Sequence, residues 1–155
     1  MTDSTPATGS ASGPAAGPAP APGPVYVKVS THVLDTQRGR PAAAVPVRLD
    51  AYDGTTWQPL AFGQTDDDGR WTVPKPKRRD DEDAQAAAQE APEYPPGSPG
   101  GTYRLRFGTG VYFSTFDTPT FYPEVNIIFT IADPSEPHHV PLLLSPYGYS
   151  TYRGS

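Results

Sequence analysis

His32, His138 and His139 are the only imidazoles in a chain of 155 residues that contains no cysteine. The lack of cysteine removes a thiolate nucleophile, a disulfide framework and thiolate metal ligation from consideration. Imidazole is then the side chain best suited to exchange protons near neutrality. His138 and His139 are adjacent, and a strand sends adjacent side chains to opposite faces. Only one of them can join a given site, which disfavours a three-histidine zinc site needing both. No G-x-S-x-G nucleophile elbow occurs in the chain. The acidic clusters "DDDG" and "RRDDED" read as a turn and a solvated loop. Taken singly, Arg70 after "DDDG" is an ordinary surface cation, and His32 in a strand is more often structural than catalytic. The residue types permit imidazole acid–base chemistry without naming its substrate.

Those residues need elements to hold them, and the alternation of the chain supplies strands. In "VYVKVSTHVLD" (25–35), Val25, Val27, Val29, Thr31 and Val33 share one face. Tyr26, Lys28, Ser30, His32 and Leu34 share the other. Period-two patterning with β-branched residues predicts a half-buried strand. "VPVRLDAY" (45–52) repeats it, with Val45, Val47, Leu49 and Ala51 inward, and a third strand is expected over 56–62. "TDDDGRW" supplies hairpin-turn chemistry, and Arg70 opens the strand that follows. "TYRLRFG" (102–108) points Tyr103, Leu105 and Phe107 inward and Arg104 and Arg106 outward. "TGVYFSTF" (109–116) suits one short helix, while "VNIIFTIAD" (125–133), "HHVPLLLS" (138–145) and "YSTYR" read as strands. Pro141 has no N–H for a ladder, so its strand is expected at an edge or at a bulge. Seven to eight short strands with one short helix predict an all-β antiparallel sandwich.

Composition restricts the folded part. Residues 1–24 are built from Pro, Ala, Gly and Ser and read as a disordered tail ahead of a single domain over 25–155. A second soft stretch, about 75–101, pairs a basic run with an acidic one and reads as a flexible insertion between strands. Neither a signal peptide nor a run of ~20 apolar residues for a membrane helix is present, so a cytoplasmic location without membrane contact is expected. The net charge of −5 argues against nucleic acid as a partner.

The stretch "HVPLLLSPYGYSTYRGS" (139–155) stays aromatic and patterned to its last residue. It resembles the closing signature of the transthyretin-like 5-hydroxyisourate hydrolase family. Three further segments match in order: "VSTHVLDTQRGRPAAAVPVRL", "TDDDGRW" and "FYPEVNIIFTI". The resemblance runs from about Val25 to Ser155, apart from the insertion.

That resemblance implies a transthyretin-like sandwich assembled as a homotetramer, a dimer of dimers with its sites in clefts between dimers. It implies hydrolysis of the N1–C6 amide of 5-hydroxyisourate, a small-molecule substrate, in urate breakdown, with no cofactor and no metal. His32, Arg70, His139 and Ser155 fall on the family's catalytic positions, and Tyr152 joins them in substrate binding. Ser155 brings a hydroxyl and the α-carboxylate of the chain together. Which histidine acts as base stays open, with His139 slightly favoured. His138 departs from the family pattern and is assigned no role. The alternative is a non-catalytic carrier of the same fold, which resembles this chain less because the carriers lack both site histidines and the "YRGS" ending.

Overall fold

The computed structural model describes residues 27–75 and 100–155. The expected tail over 1–24 and nearly all of the expected insertion lie outside the described residues. Among the described residues the order is β1 (Lys28–Asp35), β2 (Arg40–Pro41), β3 (Pro46–Tyr52), β4 (Trp57–Gln64), β5 (Arg70–Thr72), β6 (Gly101–Phe107), α1 (Thr109–Ser114), β7 (Val125–Ile131), β8 (Pro137–His139), β9 (Leu142–Ser145) and β10 (Gly148–Thr151). The strands form two sheets. One has the order β4-β3-β6-β7; the other runs β10-β9-β1-β2, with β5 and β8 also paired to β1.

The core lies between the sheets. Val29, Val33, Leu142 and Leu144 from the first sheet meet Val47, Leu49, Leu105, Phe107 and Ile131 from the second, all buried. Each of these is a period-two position, as the alternation requires. The predicted inward set Tyr103, Leu105 and Phe107 is buried, whereas Ala51 is only half-buried. Phe113 and Tyr112 of α1 close one end of the core, with the Tyr112 hydroxyl donating to Asp35 Oδ2 at 2.8 Å. Asp35 also accepts the backbone N–H groups of Gln37 and Arg38, so the buried carboxylate fixes the turn after β1.

Two features differ from the alternation argument. The sandwich is not purely antiparallel, because β8 and β9 both run parallel to β1. The single strand expected over 138–145 is split, and Pro141 is not at an edge: β9 lies between β1 and β10. Register is nevertheless unbroken, since His139 pairs with Ser30 and Leu142 with Val33. Pro141 lacks an N–H, so two neighbouring hydroxyls bridge the interruption. Thr31 Oγ1 donates to the Val140 carbonyl at 2.7 Å, and Thr151 Oγ1 to the Pro141 carbonyl at 2.7 Å. Side-chain donors thus replace ladder bonds where proline sits inside a sheet. The split, together with the two-residue β2, brings the number of strands among the described residues to ten.

Candidate active site

Along β1 the burial alternates, with Val29, Thr31, Val33 and Asp35 inside and Ser30, His32 and Leu34 half-buried on the outer face. His32 pairs directly with Arg70 on β5, and Ser30 pairs with Thr72 on β5 and with His139 on β8. Directly opposed residues carry Cβ atoms ~4.5–5.5 Å apart. Ser30 and His32 are two residues apart on one face, a rise of ~7 Å. Strand pairing alone therefore collects His32, Arg70 and His139, from three segments remote in sequence, on one patch of the outer face.

Each member is held by local chemistry. Arg70 is aimed by the "DDDG" turn: Asp66 Oδ1 accepts the N–H of Asp68 at 3.0 Å and of Arg70 at 2.8 Å. Gly69 has a φ of 71°, and its carbonyl accepts the Val33 N–H at 2.8 Å, docking the turn on β1. A Cβ on Gly69 would lie 2.5 Å from the Val33 carbonyl oxygen, so both its backbone angle and its contact require glycine.

His139 has a different holder on each side. Its Nδ1 lies 2.9 Å from Ser30 Oγ. Its carbonyl accepts the Gly154 N–H at 2.9 Å, and the two residues form an antiparallel bridge. Gly154 sits so close that a Cβ there would fall 2.4 Å from His139 Cδ2. The "YRGS" segment is thus pinned against the imidazole. Ser155 follows at once, exposed, while Tyr152 is left 58% exposed. Of the expected site residues, His32, Arg70 and His139 share one patch, and Ser155 follows Gly154, which touches it.

The electrostatics of the patch favour a neutral imidazole. Burial lowers the basicity of His139, and the Arg70 guanidinium and the His32 imidazole push it further down; a hydrogen bond to the Ser30 backbone works the other way. His32 Nε2 and His138 Nδ1 are buried without a hydrogen-bond partner among the described residues. Buried polar nitrogens are normally satisfied, so the one on the patch, His32 Nε2, is suited to a partner from outside the chain. His138 stands beside Val29 rather than Ser30, so it does not share the face of His139. Among the described residues, no three His, Cys, Asp or Glu side chains gather as metal ligands, and no helix is long and apolar enough to cross a membrane.

Sequence reasoning left Ser30 and Gly154 without roles. The signal for Ser30 was its place on the polar face two residues before His32. Its partner became visible only with the parallel register of β8.

The class defined by this fold and patch is a small all-β sandwich carrying an imidazole–guanidinium cluster on a strand surface. The chain belongs to the HIUase/Transthyretin family, whose model matches residues 29–154. It is 42% identical over 127 residues to the 5-hydroxyisourate hydrolase of Salmonella dublin, covering 82% of this chain and 80% of that protein. It is 38% identical to the 5-hydroxyisourate hydrolase of Deinococcus radiodurans, covering 82% and 95%. Among solved structures, Klebsiella pneumoniae 5-hydroxyisourate hydrolase is similar with a TM-score of 0.60 and 32% identity, over 83% of this chain and 99% of that one. A structure of (S)-allantoin synthase is similar with a TM-score of 0.62 and 29% identity, over 85% of this chain and 45% of that one.

Proposed function

We propose that the chain hydrolyses 5-hydroxyisourate to 2-oxo-4-hydroxy-4-carboxy-5-ureidoimidazoline, a step of urate degradation. The observation that carries the reading is the convergence of His32, Arg70 and His139 on one strand face. Several relatives that align over most of this chain bear the name of that hydrolase.

The chemistry follows from the patch. Water attacks C6 of the substrate while His139, kept neutral by its surroundings, takes the water proton. The new C–O bond drives C6 through a tetrahedral oxyanion. Arg70 offers a fixed fork of donors to that oxyanion and to the anionic substrate. The N1–C6 bond then breaks, and the proton that His139 took from water is delivered to the leaving N1, which returns His139 to its neutral form. His32 Nε2, buried and unpartnered, orients the substrate by a hydrogen bond. Ser155 supplies a hydroxyl beside His139 for the same purpose, and Tyr152 borders the substrate. The account needs neither metal nor cofactor.

The same reading has the protein work in the cytoplasm as a homotetramer. Its support is the family resemblance and the strand edges left open: β10 ends one sheet and β7 the other. Exposed Tyr149 on β10 and exposed Ile128 on β7 are apolar groups on such edges. A solution mass of four chains is the expected result, and a monomer would remove this part of the proposal.

Function is tested by adding the protein to freshly generated 5-hydroxyisourate and following its ultraviolet decay. The hydrolase speeds the decay. A carrier of the same fold would slow it or leave it alone, and that outcome would replace the reading.

A further inference from the structure

Ser30 lies outside the set of residues to which the resemblance gives a role, yet its hydroxyl is in hydrogen-bond contact with the His139 imidazole. Ser30 Oγ stands 2.9 Å from His139 Nδ1. This contact is fixed from both sides, because Ser30 and His139 are directly paired in the parallel register of β1 and β8. The Val140 N–H donates to the Ser30 carbonyl at 2.9 Å, locking that register one residue further on. On the other side of the ring, Gly154 lies against Cδ2, Cγ and Cβ of His139. One ring nitrogen is therefore tied and one ring edge is covered. Nε2, bonded to the covered Cδ2, has no hydrogen-bond partner among the described residues and is the nitrogen left to act.

We infer that Ser30 is a positioning residue for His139: its hydroxyl oxygen accepts the Nδ1–H, which fixes the tautomer whose Nε2 lone pair takes the proton from attacking water. The inference rests on the hydrolytic reading given above and adds a residue to it. A hydroxyl suits this place better than a carboxylate. A carboxylate would orient the ring equally well but would favour the charged imidazolium. A neutral acceptor orients the ring while favouring the imidazolium less than a carboxylate would. The arrangement accommodates the reaction without rearrangement, because the imidazolium formed after proton transfer still donates from Nδ1 to the same oxygen.

The test combines kinetics with a readout of the tautomer. Ser30→Ala should lower kcat on the order of 10–100-fold, part of what a positioned base contributes, with KM changed less than about twofold. Ser30→Thr, which keeps the hydroxyl, should restore most of the rate. In a His139→Ala background, Ser30→Ala should cost nothing more, since its effect passes through the imidazole. Nitrogen-15 NMR of the imidazoles, with His139 assigned by its loss in His139→Ala, should show protonated Nδ1 and bare Nε2 in the parent protein. In Ser30→Ala the population should move towards protonated Nε2, the form favoured by free histidine. Wild-type kcat in Ser30→Ala, additive losses in the double variant, or protonated Nε2 in the parent would each overturn the inference. A parent protein that shows the expected tautomer but does not accelerate 5-hydroxyisourate decay would sustain the positioning role and sink the hydrolytic reading instead.

Discussion

Gly154 lies against the imidazole of His139 so closely that a Cβ on it would come within 2.4 Å of His139 Cδ2, while its N–H donates to the His139 carbonyl at 2.9 Å. The bond orders the segment, and the missing side chain lets it lie flat on the ring. A closing "YRGS" that reads as a small polar end lies in this fold against a histidine of the candidate site. Gly154→Val should therefore displace either the segment or the ring. Turnover is expected to fall about 100-fold, the scale on which misplacing a catalytic group acts, with little change in melting temperature. Parallel kinetic and thermal-melt measurements check this; unchanged turnover would detach Gly154 from function.

Deletion of Tyr152–Ser155 carries the same logic further. These residues follow β10, whose pairing with β9 ends at Thr151–Leu142, and the core residues lie elsewhere. The shortened protein should keep its circular dichroism spectrum and lose most turnover. Full activity in it would contradict the account.

The pH profile follows from the direction in which His139 is shifted. Burial, then Arg70 and His32, lower its pKa from 6.5. A base with a lowered pKa stays neutral to more acid pH, so the acid limb of kcat/KM should lie below 6.5. Arg70→Met removes one of these repulsions, so the residual activity of that variant should show its acid limb at higher pH. A limb at or above 6.5 in the parent protein, or no movement in the variant, would contradict this electrostatic reading.

The placement of His32 and Arg70 in the candidate site was legible because β1 alternates so cleanly. Burial follows Val29, Thr31 and Val33, and the same alternation puts His32 on the outer face. The "DDDG" turn likewise announced Arg70 at the start of a strand, and β5 begins there. The partnership of Ser30 and His139 was not legible. It depends on β8 running parallel to β1 at a separation of 109 residues, and parallel register leaves no local mark in sequence. Pro141 misled for a related reason. Proline inside a sheet is normally excluded by its missing N–H, but Thr31 and Thr151 supply donors to the carbonyls on either side of the break. Asp50, fully buried between Arg48 and Arg104, also escaped notice, since an aspartate on a strand ordinarily reads as solvent-facing.

Gly69 couples stability to the site. Its φ of 71° and the 2.5 Å approach of a would-be Cβ to the Val33 carbonyl make alanine costly there. Gly69→Ala should destabilise the fold by about 1–3 kcal/mol and lower activity by moving Arg70 off His32. Denaturant melts and kinetics measure both effects. A variant with the parent's stability and rate would show that the turn does not aim Arg70.

The most direct test of the catalytic patch is the rate of ultraviolet decay of 5-hydroxyisourate at one enzyme concentration, for the parent protein and for His32→Ala, Arg70→Ala and His139→Ala. The parent should accelerate decay well beyond the spontaneous rate, and each variant should lose about 100-fold or more of that acceleration, as expected for groups acting on the reacting atoms. Parent and variants decaying the substrate at the same rate would contradict the assignment of chemistry to these three side chains.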